Sequence, residues 1–253
     1  MRFKIISVTF LVFMLVFTLI GNIYASELTG QEIMDEAEGN MDYGKYEAKA
    51  EMTIFTTSGN KRVLKMEMWG AGTEKTLMKY YSPARVEGIT FLFLKNDIWS
   101  YFPRSGRVRH LASHIENQNM MGSSFSYEDF SSEAFDDYQT ELVREENLRD
   151  EKCYVVKGKA KNEEVSYEKF IAWVTKKDFR TLRVNYFNKG HKVKVMTIEK
   201  FEKTNDKLRP KKIVMEDLMN DNKTIFEYLE LRTGVEFNPN FFHKRNLKRI
   251  SQK

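Results

Sequence analysis

From Tyr46 to Ile54 the chain alternates with a period of two. Tyr46, Ala48, Ala50, Met52 and Ile54 are apolar or aromatic, while Glu47, Lys49, Glu51 and Thr53 are polar or charged. Successive side chains of a strand point to opposite faces, so this pattern describes a sheet with one dry face and one wet face. The turn signal Ser58-Gly59-Asn60 follows, and Leu64, Met66 and Met68 carry the alternation back. Gly70 and Gly72 punctuate the next turn; Thr76, Met78 and Tyr80 form a third strand, stopped by Ser82-Pro83.

Similar stretches fill most of the remaining chain. They are Ile89–Leu94, Ile98–Phe102, Arg107–Leu111, Tyr138–Arg144, Lys152–Lys159, Tyr167–Val174, Thr181–Phe187, Lys192–Phe201, Ile213–Met219 and Thr224–Leu231. Polar or Gly-containing turns separate them, among them Asn96-Asp97, Ser105-Gly106 and Asn188-Lys189-Gly190. About a dozen short strands at this spacing predict a mainly β (α+β) fold, a large antiparallel sheet curled or closed to manage its edges.

Helices are few. Thr29 and Glu32 have capping-box spacing, and Ile33, Ala37 and Met41 recur on one helical face. Residues 114–135 lack alternation and hold a short helix candidate after Ser126. Asn238-Pro239-Asn240 and Phe241-Phe242 are expected to open a terminal helix.

The first residues bear on the compartment. Arg2 and Lys4 precede an uncharged run from Ile5 to Ile20, then Gly21-Asn22 and a small residue at Ala25. This is the pattern of a secretory signal peptide, with an uncleaved anchor as the rival. The expected organisation is a signal peptide over residues 1–25 and one domain over 26–253, exported to the periplasm. Cys153 is the only cysteine, so there is neither an internal disulfide nor a lipid-attachment cysteine after the apolar run. It reads as a small buried apolar residue.

The net charge is +5, nearer +3 without Arg2 and Lys4. Residues 128–151 are acidic, and the stretch from His243 carries Lys244, Arg245, Lys248, Arg249 and Lys253. A basic end of this kind reads first as a solvated, frayed tail, and second as a weak attraction to anionic headgroups. No nucleic-acid motif accompanies the charge.

Catalytic constellations are missing. His110 and His114 are four apart, but Leu-Ala-Ser stands between them, without the glutamate of a metalloprotease helix. Gly122-Ser123-Ser124-Phe125 is not a nucleophile elbow, and Asp136-Asp137 and Glu145-Glu146 would point to opposite faces of a strand. No cofactor, metal or enzymatic activity is expected. What the chain offers is apolar surface. Met66, Met68, Trp69, Phe91, Phe93, Trp99, Tyr101 and Trp173 are candidate walls of an adaptable apolar cavity. Met121, Gly122, Phe125 and Tyr127 are candidates for its mouth or lid, the alternative being a structural turn capped by Ser126.

Several motifs in order resemble the LolA-like exported proteins, the outer membrane lipoprotein-sorting family. They are Ser82-Pro83-Ala84-Arg85, Gly88–Leu92, Trp99–Pro103, Gly106–Arg109 and Met121–Asp129, with Ile171-Ala172-Trp173-Val174, Thr224–Glu227 and Phe241–Leu247 further on. The resemblance implies a single incomplete, strongly curved antiparallel β-barrel, with covering helices around a hydrophobic cavity. It implies a periplasmic carrier of lipoprotein acyl chains or other lipids, with transient membrane contact and an inner-membrane lipid exporter as a candidate partner. The alternative within the same fold is an RseB-like envelope regulator that binds a membrane protein.

Overall fold

The computed structural model describes residues 28–252 except 96, 113–114, 116–117, 131–134, 136 and 163–164. The signal-peptide expectation, His114 and Asp136 therefore lie outside the described residues. Within them, every expected strand forms.

The first six strands are β1 (Lys45–Phe55), β2 (Lys61–Ala71), β3 (Lys75–Ser82), β4 (Thr90–Leu94), β5 (Asp97–Phe102) and β6 (Arg107–His110). The remaining seven are β7 (Tyr138–Leu148), β8 (Glu151–Ala160), β9 (Lys169–Thr175), β10 (Thr181–Asn188), β11 (His191–Thr204), β12 (Lys207–Asp217) and β13 (Asn222–Thr233). They make one antiparallel sheet in the order β6-β5-β4-β3-β2-β1-β13-β12-β11-β10-β9-β8-β7.

Two meanders thus meet at β1 and β13, where Met52 lies opposite Phe226. Strands β6 and β7 are consecutive in sequence yet form the two edges. The sheet curls without closing, and the described residues between β6 and β7 lie across its open side.

Parity assigns the faces. Ala48, Ala50, Met52, Met66, Met78, Phe91, Val156, Phe170, Val184 and Phe226 share one large buried cluster that includes residues from both meanders. That face is the inside of the curl. On the outside, Leu77, Leu92 and Tyr101 pack with Leu247 and Ile250, and Cys153, Val155, Trp173 and Leu182 form a third cluster. Cys153 is buried there as a small apolar residue.

Helix α1 (Gly30–Gly39) has the expected reciprocal cap between Thr29 and Glu32, and buries Ile33, Met34 and Ala37 against the inner cluster. Gly30 meets the β7 backbone so closely that a Cβ would stand 2.6 Å from the Glu141 nitrogen. Met41 falls beyond the helix end and is exposed.

The terminal helix starts later than its sequence signals suggest: α2 spans Leu247–Ser251, preceded by a 3₁₀ turn at Lys244–Asn246. Phe241 and Phe242 stay outside it, because their rings pack on Phe237 and, for Phe241, on Trp69. The tail is not frayed, since Leu247 is 0% and Ile250 5% exposed.

Candidate functional site: an apolar cavity inside the curled sheet

A cavity of about 420 Å³ lies inside the curl. Its walls come from both meanders: Tyr46 and Met68 from β1 and β2, and Tyr186, Met196, Phe226 and Tyr228 from β10 to β13. Phe125, Asp129, Phe130 and Phe135 of the crossing segment form the remaining side. The rings interlock. Phe226 stands 5.8 Å from Phe130 and 5.1 Å from Tyr228, and Phe93 stands 6.2 Å from Phe130. Such tilted and edge-to-face pairs fix the wall without filling the space. Exposed Met41, Thr73, Glu74 and Lys95 mark the rim, at the end of the sheet where β2 turns into β3.

The crossing segment closes the other end. Arg62 donates to the carbonyl oxygens of Met121 (3.1 Å) and Gly122 (3.3 Å). Arg62 is near the start of β2, whereas Gly72 at the rim follows its last residue. At about 3.3 Å per residue the two ends of that strand are roughly 30 Å apart. The Met121–Gly122 turn therefore lies at the floor of the cavity, not at its mouth.

Three further contacts pin the segment to β11, β12 and β13. Lys194 Nζ donates to Asn119 Oδ1 (3.0 Å), Asn119 Nδ2 donates to Asp217 Oδ2 (3.0 Å), and the Ser124 amide donates to Thr224 Oγ1 (2.8 Å). Glu128–Phe130 form a 3₁₀ turn capped reciprocally: the Ser126 amide donates to Asp129 Oδ2 and the Asp129 amide to Ser126 Oγ.

The structure splits the eight cavity candidates between two faces. Met66, Met68, Phe91 and Phe93 face inward; Met68 lines the cavity, and the other three belong to the packed wall around it. Trp69, Trp99 and Tyr101 face outward under the C-terminal tail, and Trp173 faces outward beside Cys153. Assigning these four to the cavity is corrected by strand parity: Trp69 follows inward Met68, and Tyr101 precedes inward Phe102. Of the four mouth candidates, Phe125 lines the cavity and Tyr127 packs 5.3 Å from Phe91.

The tyrosines of the wall were not singled out from sequence. Tyr46 opens the alternating stretch itself, and Tyr228 shares parity with Phe226, so parity carried on from β1 would have found both. Burial pushes the Tyr46 hydroxyl up to about 12, and pushes those of Tyr186 and Tyr228 well above the ordinary range. All three are neutral hydrogen-bonding groups at physiological pH.

Asp129 lies deep in the protein yet keeps exposed area, because that area faces the cavity. Its surroundings push the carboxyl above its usual range despite the countering charge of Lys194 and the Ser126 hydrogen bonds. Tyr43 closes the wall near the rim, donating to the Pro210 carbonyl at 2.9 Å.

Among the described residues that line the cavity, none is a nucleophile with a paired base. Among the described residues no three His, Cys, Asp or Glu side chains are arranged to hold a metal ion. His110 is at the surface, its Nε2 2.7 Å from Asp97.

A family model described as an uncharacterized protein matches residues 72–249. A solved domain from Vibrio parahaemolyticus, classed as an outer membrane lipoprotein-sorting protein, superposes with a TM-score of 0.79 at 25% identity, covering 87% of this chain and 98% of that one. The chain belongs to the LolA-like family.

Two other solved structures share the fold. A LolA superfamily protein from Nitrosomonas europaea gives a TM-score of 0.74 at 21% identity, covering 87% of this chain and 99% of that one. A DUF1329 family protein from Desulfovibrio piger gives 0.78 at 23%, covering 86% and 98%. No curated protein matches at a significant level. In this LolA-like chain all the sequence motifs that carried the resemblance, from Ser82 to Leu247, fall inside the matched region.

Proposed function

We propose that this LolA-like protein is a periplasmic carrier that holds the acyl chains of lipoproteins or other lipids and helps move them toward the outer membrane. In this reading residues 1–25 are removed on export, and the protein performs no chemistry on its cargo. One observation carries the proposal: a cavity of about 420 Å³, walled by Met and aromatic side chains, open at a rim and closed at its floor. That volume lies within the range of small-molecule sites.

The energetics favour holding over reacting. Each methylene moved out of water contributes about 0.8 kcal/mol, so a dozen contribute on the order of 10 kcal/mol before ordering costs. Met68 and Met196 adapt their shape to different chains, as suits a protein that must also release its cargo. An inner-membrane lipid exporter is the proposed donor, met through transient membrane contact.

Native mass spectrometry of the purified protein should show co-purified lipid, and a fluorescent fatty acid should bind and be displaced by lipid. Met196→Trp, which fills a half-buried wall position, should weaken that binding at least about tenfold with the melting temperature retained. Protein that is always empty and takes up no fatty acid would end the carrier reading.

A further inference from the structure

The net positive charge of this protein is concentrated in two short segments. Two short segments, Pro103–His110 and His243–Gln252, carry seven of the 41 Lys and Arg residues and none of the 36 Asp and Glu residues. The rest of the chain is therefore at −2, and the net +5 of the whole belongs to these two segments. They lie far apart in sequence, and the fold brings them together.

Helix α2 packs on β4 and β5, anchored by Leu247 and Ile250 under the outer face. Lys244 Nζ sits 3.9 Å from the centre of the Trp99 ring, which in turn packs at a tilt on His110 of β6 at 4.7 Å. The far end of α2 reaches the opposite side of the hairpin: Gly88 is wedged between Ser251 and Pro103. Arg107 and Arg109 stand opposite Phe102 and Ser100 and so share the inner-face parity, whereas the tail lies on the outer face with Trp99 and Tyr101. Together with Arg104 in the turn, the seven residues flank the β5–β6 edge of the sheet from both sides.

All seven side chains are exposed. None of them is in an ion pair among the described residues, whereas the walls elsewhere are laced with pairs such as Lys45–Glu236, Lys79–Glu67, Arg180–Asp178 and Lys212–Glu199. Of the bordering acids, Asp97 is engaged by His110, and Glu87 stands in the β3–β4 loop.

We infer that this edge is a docking surface for the anionic headgroups of a membrane. The arrangement suits a layer of mobile charges better than a single ligand. The side chains are long, exposed and spread over a strand, a turn and a short helix. Near an anionic bilayer each such residue contributes about fivefold to affinity, independently of the others. The inference deepens the membrane contact of the carrier reading by naming the surface, and its failure would leave lipid uptake by the cavity untouched.

The test is flotation of the protein, expressed from its full sequence, with vesicles of phosphatidylcholine alone or mixed with phosphatidylglycerol. Binding should appear only with phosphatidylglycerol and weaken as salt shortens the screening length. The variant Arg107→Gln, Arg109→Gln, Lys248→Gln, Arg249→Gln should lose about a hundredfold or more in affinity. A charge-matched control changing exposed Lys152, Lys192, Lys200 and Lys207 to Gln should lose less than about tenfold. Equal binding to both vesicle types, equal losses in the two variants, or retention by an acidic envelope protein but not by phosphatidylglycerol would each overturn the inference. Fatty-acid uptake and thermal melts, unchanged in both variants, show that fold and cavity are intact.

Discussion

Thr224→Val separates the hydrogen bonds that hold the crossing segment from the rings that pack around it. Thr224 and Ser124 are both fully buried. The Ser124 amide donates to Thr224 Oγ1 at 2.8 Å, and the threonine hydroxyl donates to Ser124 Oγ at 3.1 Å. Valine replaces the hydroxyl with a methyl of similar size, so packing volume hardly changes while both bonds vanish. A buried polar group left without its partner costs about 1–3 kcal/mol, and here an amide and a hydroxyl are affected together. The expected loss is about 2–4 kcal/mol, which for a protein of this length lowers the melting temperature by roughly 5–15 °C.

Thr224→Ser is the matched control. It keeps the hydroxyl and gives up one buried methyl, at about 1 kcal/mol. Thermal melts followed by circular dichroism should rank wild type above serine and serine well above valine. If valine melts within about 1 °C of wild type, or above serine, the account of the Thr224–Ser124 hydrogen bonds fails, and Phe125 and Phe130 with the Arg62 and Asn119 contacts hold the segment.

Two further outcomes follow from the same geometry. Gly70→Ala should destabilise the protein by about 1–3 kcal/mol, since its Cβ would stand 2.0 Å from Cε1 of Tyr46. The displaced Tyr46 ring should also weaken fatty-acid binding at the cavity wall, and an unchanged melt would show that the two strands part easily there. Asp129 holds its proton more tightly in the folded than in the unfolded state. Its contribution to stability is therefore present at low pH, and is lost as pH rises from the unfolded value of about 4 through the folded one. Asp129→Asn should gain stability relative to wild type across that window, read from urea unfolding at several pH values, and a flat difference would contradict the burial of this carboxyl.

The strands were legible because each has one wet face, and alternation survives in a single sequence. Their pairing order was not, since β6 and β7 are neighbours in the chain and opposite edges in the sheet. Local pattern carries no information about a return to β1. The cavity was half legible for a related reason. Met66, Met68, Phe91 and Phe93 could be picked by composition, but so could Trp69, Trp99, Tyr101 and Trp173. Large aromatics mark any buried face, and this sheet has two, because the C-terminal tail covers the outside of β2–β5. Only parity counted from a residue of known direction separates the two sets. The tail shows the limit of charge as a signal: its basic residues read as a frayed end, whereas Leu247 and Ile250, spaced three apart, anchor it.

The strand order also accounts for the polar residues on otherwise apolar strands. A closed barrel would satisfy its backbone by pairing the last strand with the first. Here the open side is covered by residues whose described part holds only two 3₁₀ turns as regular structure, which brings unpaired amides and carbonyls into the interior. Buried backbone groups need partners, and the sheet supplies them from side chains at its floor end. Arg62 takes the Met121 and Gly122 carbonyls, Thr224 takes the Ser124 amide, and Asp217 and Lys194 hold Asn119 from both sides of its amide. The same hydrogen bonds tip Asp217 below the usual carboxylate range: burial alone would raise it, and the bonds from Asn220 and Asn119 outweigh that burial. A buried aspartate, lysine and threonine on neighbouring strands would ordinarily invite a catalytic reading. In this fold their hydrogen-bond partners are all on the crossing segment or on the β12–β13 turn, so their work is to hold the floor of the cavity, and the space above it is left to apolar cargo.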